Sequence, residues 1–280
     1  MGSSFSSRIL GSLLDKRFLR AYALVVVLAL YAPLAAMLIH SFNENPFMGE
    51  WRGFTLKWYQ LVLADSRFRE ALFNSVTVAM ASATLSVLLG FLAGLATGPG
   101  RVRILDYIVY PVIVMPEVAE AVALFLFYIY IKIELGWLTV MLGHTAFNVA
   151  FAYTVISASG LRHPSLEDAA RTLGARPHQV LVKITLPLSL PVVVAAFAVT
   201  FILSFTNFVK TVFTKGPGFE TLPLLIWARA RRPGIDELAS PNALNALASL
   251  VFLATLAIAI AVSIAYVAST SRREVKKESE

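Results

Sequence analysis

Two glutamates, an asparagine and a lysine stand inside stretches that are otherwise apolar. Glu117 and Glu120 are three residues apart, which places both on one side of a helix; Asn207 and Lys210 stand in a later stretch. An acidic side chain at mid-membrane costs roughly 2.5–3.5 kcal/mol or more, so it is a functional candidate by default. Pro111 and Pro116 precede the glutamates and loosen the backbone, as suits a cavity wall; Phe125, Phe127, Tyr128 and Tyr130 follow them. Carboxylates beside rings suit an organic cation. Two other readings are open. Glu117 or Glu120 forms an internal ion pair with Lys210, or a glutamate sits near the external interface. Thr206, Asn207 and Lys210 favour a cation less than acids would. Glu117, Glu120, Asn207 and Lys210 are therefore the candidate substrate-path residues.

Other chemistry is missing. The chain has no cysteine, which excludes a disulfide framework, a thiolate metal site and a thiol nucleophile. The dipeptide Gly-Lys does not occur, so there is no phosphate cradle of the P-loop kind. His-Glu-x-x-His and Gly-x-Ser-x-Gly are absent too. The histidines are scattered; His163 and His178 share a loop without a third ligand nearby. No catalytic group, metal site or bound cofactor is expected on this polypeptide.

The elements that hold these residues follow from composition. The chain has 280 residues, 58% of them hydrophobic and only 15% charged, with a mean hydropathy of +0.72. A soluble domain carries about 25% charged residues. About 20 apolar residues cross the hydrocarbon core, and six stretches qualify: 21–42, 71–97, 107–131, 138–158, 187–213 and 243–269. The expected fold is an all-α membrane protein of six transmembrane helices. Ser82, Ser86, Gly90, Gly94 and Gly98 form a small-residue row in the second span, and Ala257, Ala261, Ala265 and Ser269 another in the sixth. Such rows let helices approach closely. Ile9 to Leu19 is a short amphipathic stretch, and no good cleavage site follows the first span, against a signal peptide. Segments 1–20, 98–106, 159–186 and 270–280 carry the larger share of lysine and arginine. They read as cytoplasmic, which puts both termini inside and explains the net charge of +7 without nucleic acid. The domains are thus a cytoplasmic segment 1–20, a membrane domain 21–269 and a cytoplasmic tail 270–280.

The loop between the fourth and fifth spans, 162–187, is densely punctuated. Pro164 blocks helix continuation from upstream, and Ser165 with Asp168 reads as a capping box that starts a helix at Leu166. Leu166, Ala169, Ala170 and Leu173 then share one face, and Gly174 ends the helix in a left-handed cap. Pro177 suits the first turn of a second short helix through about Ile184, and Pro187 and Pro191 open the fifth span. A short helix with two alanines on its face reads as a docking element, with Arg171 and Arg176 at its rim. The alternative is a helix lying on the headgroups.

Asp168-Ala169-Ala170, three residues, Gly174, nine residues, then Ile184-x-Leu186-Pro187 resembles the signature loop of ATP-binding-cassette importer permeases, E-A-A-x3-G-x9-I-x-L-P. Asp168 replaces the family's glutamate and has Glu167 just before it. Phe42-Asn43, the run Gly53 to Tyr59, Gly216-Pro217, Thr221 to Leu224 and Asn242-Ala243-Leu244 resemble the spermidine/putrescine type. The resemblance implies that Leu166, Glu167, Asp168, Ala169, Ala170, Leu173, Gly174, Ile184, Leu186 and Pro187 couple the chain to an ATPase. It implies a pair of ATPase subunits that carry the ATP and Mg, a second permease, and an external solute-binding protein. It also implies alternating access for a small, polyamine-like solute across a prokaryotic inner membrane. A single-chain ion-coupled transporter is the rival reading, and the absence of a detectable internal repeat speaks against it.

Overall fold

The computed structural model describes residues 16–47, 49–96, 104–158 and 164–278. Most of the Ile9–Leu19 stretch, Gly98, Arg162 and His163 lie outside them. The helices in chain order are α1 (Lys16–His40), α2 (Lys57–Ala64), α3 (Ser66–Ala96), α4 (Ile104–Val114), α5 (Glu117–Tyr130), α6 (Trp137–Ala158), α7 (Pro164–Thr172), α8 (Pro177–Val180), α9 (Leu186–Phe205), α10 (Val209–Thr214), α11 (Leu222–Ala230) and α12 (Pro241–Glu278). A π turn, Leu181–Thr185, joins α8 to α9. Among the described residues there is no strand, only an isolated bridge between Asn43 and Phe54. Among the described residues five helical runs are long and apolar enough to cross a membrane, and a sixth crossing exists if α4 and α5 count as one.

Two expected spans are broken. The stretch 107–131 is not one helix: α4 and α5 meet at 104°. Pro116 is the cause. It has no N–H to give and biases Met115 away from the helical region, and at φ −57°, ψ 124° it starts α5 afresh. The stretch 187–213 also divides, because α9 stops at Phe205 and α10 begins at Val209. At its other end the fifth span begins earlier than expected. The helical run is continuous from Pro177 to Phe205. Pro187 sits just after the π turn, whose wider ring takes up the lost bond and the clash that a proline makes with the carbonyl four residues back.

The chain divides into two compact units. In the first, the described residues through Ala64 with Arg229–Leu250, Asn43 is fully buried and organises a turn. Its Oδ1 accepts from the backbone of Asn45 and Arg52, and its carbonyl takes the indole N–H of Trp58 at 2.7 Å. Trp58 packs against Ala243 and Ala246. Lys57 pairs with Glu237.

The second unit, Asp65–Ala228 with the residues from Val251, is built on α3, α6 and α9. The row in α3 behaves as expected, with Ser82, Ser86, Gly90 and Gly94 all buried. A Cβ at Gly90 would lie 2.8 Å from both the Ala152 Cβ and the Tyr153 nitrogen, so only glycine permits this approach of α3 to α6. The row in α12 behaves differently, with Ala257 and Ala261 exposed in the isolated chain. Polar bonds tie the three helices together. Asn148 Nδ2 donates to Ser82 Oγ and to the Thr200 carbonyl, each at 3.2 Å.

Gly90→Ala should lower stability by about 1–3 kcal/mol, the cost of overpacking. Gly136→Ala, where a Cβ meets nothing within 4 Å, should not. Asn148→Leu should cost about 1 kcal/mol, since a hydrogen bond between helices in lipid averages ~0.6 kcal/mol. Unfolding of the purified chain in detergent reads all three variants; equal stability of Gly90→Ala and Gly136→Ala would contradict this packing.

Candidate functional site

The two helix breaks share one charged cluster. At the start of α5, Glu117 and Glu120 project from the first turn, where the helix dipole favours negative charge. Lys210, in the first turn of α10, is 0% exposed. Its Nζ lies 3.1 Å from Glu117 Oε1 and 3.4 Å from Glu120 Oε2. The contact with Glu117 is a hydrogen bond; that with Glu120 is an ion pair whose Oε2 has no hydrogen-bond partner. The same ammonium stands 3.7 Å from the centre of the Phe147 ring. Asn207 Nδ2 donates to Glu117 Oε1 at 2.6 Å, and Asn207 Oδ1 accepts the Lys210 backbone N–H at 3.0 Å. One asparagine thus caps α10 and holds α5.

The four candidate path residues are therefore brought together, and the internal ion pair and the polar cluster are the same object. Burying an ammonium is costly unless its partners are well placed, and here two carboxylates and a ring surround it. The Glu117 side chain keeps 41% exposure. It lines a pocket of about 350 Å³ with Phe147, Phe151, Thr206, Asn207 and Phe208 among its walls. The rings expected from α5 are not these: Phe127 and Tyr130 point outward and Tyr128 is buried.

Behind the cluster lies a histidine of the fourth apolar stretch. His144 is buried, with Nδ1 2.7 Å from Ser204 Oγ and Nε2 3.1 Å from Thr211 Oγ1. Thr211 Oγ1 is also placed to donate to the Asn207 carbonyl, at 3.0 Å. Thr214 Oγ1 donates to the Lys210 carbonyl, and Thr139 Oγ1 to that of Thr214, both at 2.7 Å. The available signal was that His144 and Asn148 are four apart in one apolar span.

The loop residues occupy a second site. Helix α7 starts at Pro164, two residues before the expected Leu166, so Ser165 lies inside the first turn and is not the cap. Proline suits this position because the first N–H of a helix has no partner in any case. The far end is as expected. Gly174 has φ +85°, its N–H donates to the Arg171 carbonyl at 2.9 Å, and the Ala175 N–H donates to that of Ala170 at 3.0 Å, a complete Schellman cap. Leu166 and Ala169 are exposed, Ala170 is half-buried, and Leu173 is 88% exposed. Of the two acids, Asp168 is exposed and Glu167 is buried. Glu167 Oε1 accepts from Thr185 Oγ1 at 3.4 Å, and Arg171 Nη2 lies 3.6 Å from Glu167 Oε2. Gln179 Oε1 accepts the Arg176 N–H at 2.8 Å and so starts α8. Ile184 is half-buried, while Leu186 and Pro187 are exposed. Among the described residues no group of three or more metal-ligating side chains exists.

Comparison with known proteins places this architecture. The family model of the binding-protein-dependent transport system inner membrane component matches residues 65–275. The spermidine/putrescine transport system permease protein PotC of Escherichia coli K12 is 32% identical over 250 residues, covering 88% of this chain and 92% of that protein. The putrescine transport system permease protein PotI of the same strain is 34% identical over 226 residues, covering 75% and 80%. A chain from a bacterial ABC transporter involved in the import of the acidic polysaccharide alginate shares the fold. Its TM-score is 0.69 at 17% identity, covering 92% of this chain and 96% of that one. This chain belongs to the binding-protein-dependent inner membrane components, the permease subunits of ABC importers.

Proposed function

We propose that the chain forms part of the path for a small, polyamine-like cation and works by alternating access driven by separate ATPase subunits. The observation that carries the coupling is α7. It is a short helix with the apolar face of Leu166, Ala169 and Leu173 turned outward, ended by a rigid glycine cap. In this reading the face seats in a groove of an ATPase subunit, one of two that hold the ATP and Mg. A second permease and an external binding protein complete the importer. Segments 1–20 and 270–280 are cytoplasmic, with the membrane domain 21–269 between them. The permease names of the two Escherichia coli relatives support an amine as cargo.

The geometry supports a lever. Glu167 ties α7 to Thr185 in the π turn, and the helical run from Pro177 to Phe205 leads to Asn207 and Lys210, which grip Glu117. Closure of the ATPases pulls α7, and the break at 206–208 shifts against α5. Two states are required, and the ATPase must bind them with different affinity or nothing is coupled.

Gly174→Val forces a β-branched side chain into the left-handed region, at a cost of roughly 1–2 kcal/mol. Ala170→Asp puts a charge beside the docking face. Both should abolish ATP-driven uptake in cells while the subunit still inserts, as read by membrane fractionation. Normal uptake by both would overturn the docking role. Glu117→Gln should cut putrescine uptake by about tenfold or more, a loss of ~1.4 kcal/mol, without loss of the assembled complex. Unchanged uptake would remove Glu117 from the path.

A further inference from the structure

The charges around Lys210 do not balance. Around it the structure holds two carboxylates and one ammonium. With all three ionised the cluster carries a single net negative charge. The ammonium is fully buried and already fills the place between Glu117 and Glu120, over the Phe147 ring. It is not available to an anion arriving from the pocket. The remaining negative charge is reachable at Glu117, whose side chain is the one charged group among the described residues that line this pocket. The walls next to it, Phe147, Phe151 and Phe208, suit the carbon chain and the cationic face of an amine.

We infer that Lys210 is a tethered cation that occupies one of two ammonium places, so that the pocket takes one ammonium group at a time. This rests on the reading of the pocket as part of an amine path, and it goes further by naming the residue that sets the charge count. A second ammonium on the same ligand finds no free carboxylate here. A polyamine therefore passes this point one amine after another.

The test uses the purified complex of permeases and ATPases in detergent, without the external binding protein, whose own affinity would otherwise be read, and with butylamine and putrescine as probes; the two share a four-carbon chain and differ by one amine. Titration calorimetry gives the ratio of their affinities. In the unaltered complex the ratio should lie near one. Lys210→Ala vacates the second place and should favour putrescine over butylamine by about tenfold or more, since each well-placed charge pair is worth at least ~1.4 kcal/mol. Lys210→Arg keeps the charge and should keep the original ratio. Glu120→Gln leaves one carboxylate for one lysine and should abolish binding of both amines. Combining Glu120→Gln with Lys210→Ala restores one net charge and should restore butylamine binding without a preference for putrescine. That rescue is what a merely structural lysine would not produce, and it also guards against poor folding of Lys210→Ala alone. An unchanged ratio in Lys210→Ala, or no rescue in the double variant, would overturn the inference while leaving the amine path standing. Failure of the unaltered complex to bind either amine would overturn both.

Discussion

A fully buried ammonium held by two carboxylates is the constraint around which this membrane unit is arranged. Lys210 cannot sit inside an apolar bundle alone; leaving such a charge unpaired costs several kcal/mol. Its partners Glu117 and Glu120 can reach it only because α5 starts afresh at Pro116 and presents its first turn to the cluster. Lys210 in turn stands at the start of α10 because α9 ends at Phe205. Each break exposes backbone groups that a continuous helix would satisfy, and the cluster answers part of that need. Asn207 accepts the Lys210 N–H, and Thr211 and Thr214 cover two carbonyls. Broken helices are tolerated at membrane depth where protein or a cavity surrounds them, and a pocket of about 350 Å³ opens beside this pair.

The pair of breaks also connects the two sites. One continuous helical run, Pro177–Phe205, has the π turn and Thr185 near its start and the Asn207–Lys210 grip just past its end. The Schellman cap at Gly174 and the bond from Thr185 to Glu167 fix α7 to that run. A displacement of α7 has a short, mostly helical route to the charged cluster. On the proposed function, this route is what carries a shift at the loop to the pair of breaks, where a soft connection would absorb it.

Much of this was legible in the residues, for identifiable reasons. Long apolar runs mark spans because lipid leaves a chain few alternatives, and the Gly174 cap was readable because few residues other than glycine sit comfortably at φ +85°. The i, i+3 spacing put both glutamates on one side, and both do reach Lys210. The breaks were harder. Pro116 was visible, but its effect depends on whether neighbouring groups satisfy the freed backbone. The break at 206–208 has no proline or glycine to announce it; it depends on Asn207 bonding to Glu117 from a distant segment. Likewise Ser165 with Asp168 reads as a capping box, but Pro164 takes the first position and puts Ser165 inside the turn. Glu167 and Asp168 are neighbours of like charge, and only packing against Thr185 shows which of them is buried.

In the proposed mechanism the two breaks shift against one another as the importer turns over. The absence of native cysteine makes this directly measurable. Spin labels at Met115→Cys and Thr206→Cys, both exposed positions beside the breaks, report their separation in the complete complex by pulsed electron paramagnetic resonance. Alternating access should give two distance populations whose balance shifts when ATP is bound and held unhydrolysed. A single distance, unchanged by nucleotide in a complex that still transports, would contradict it.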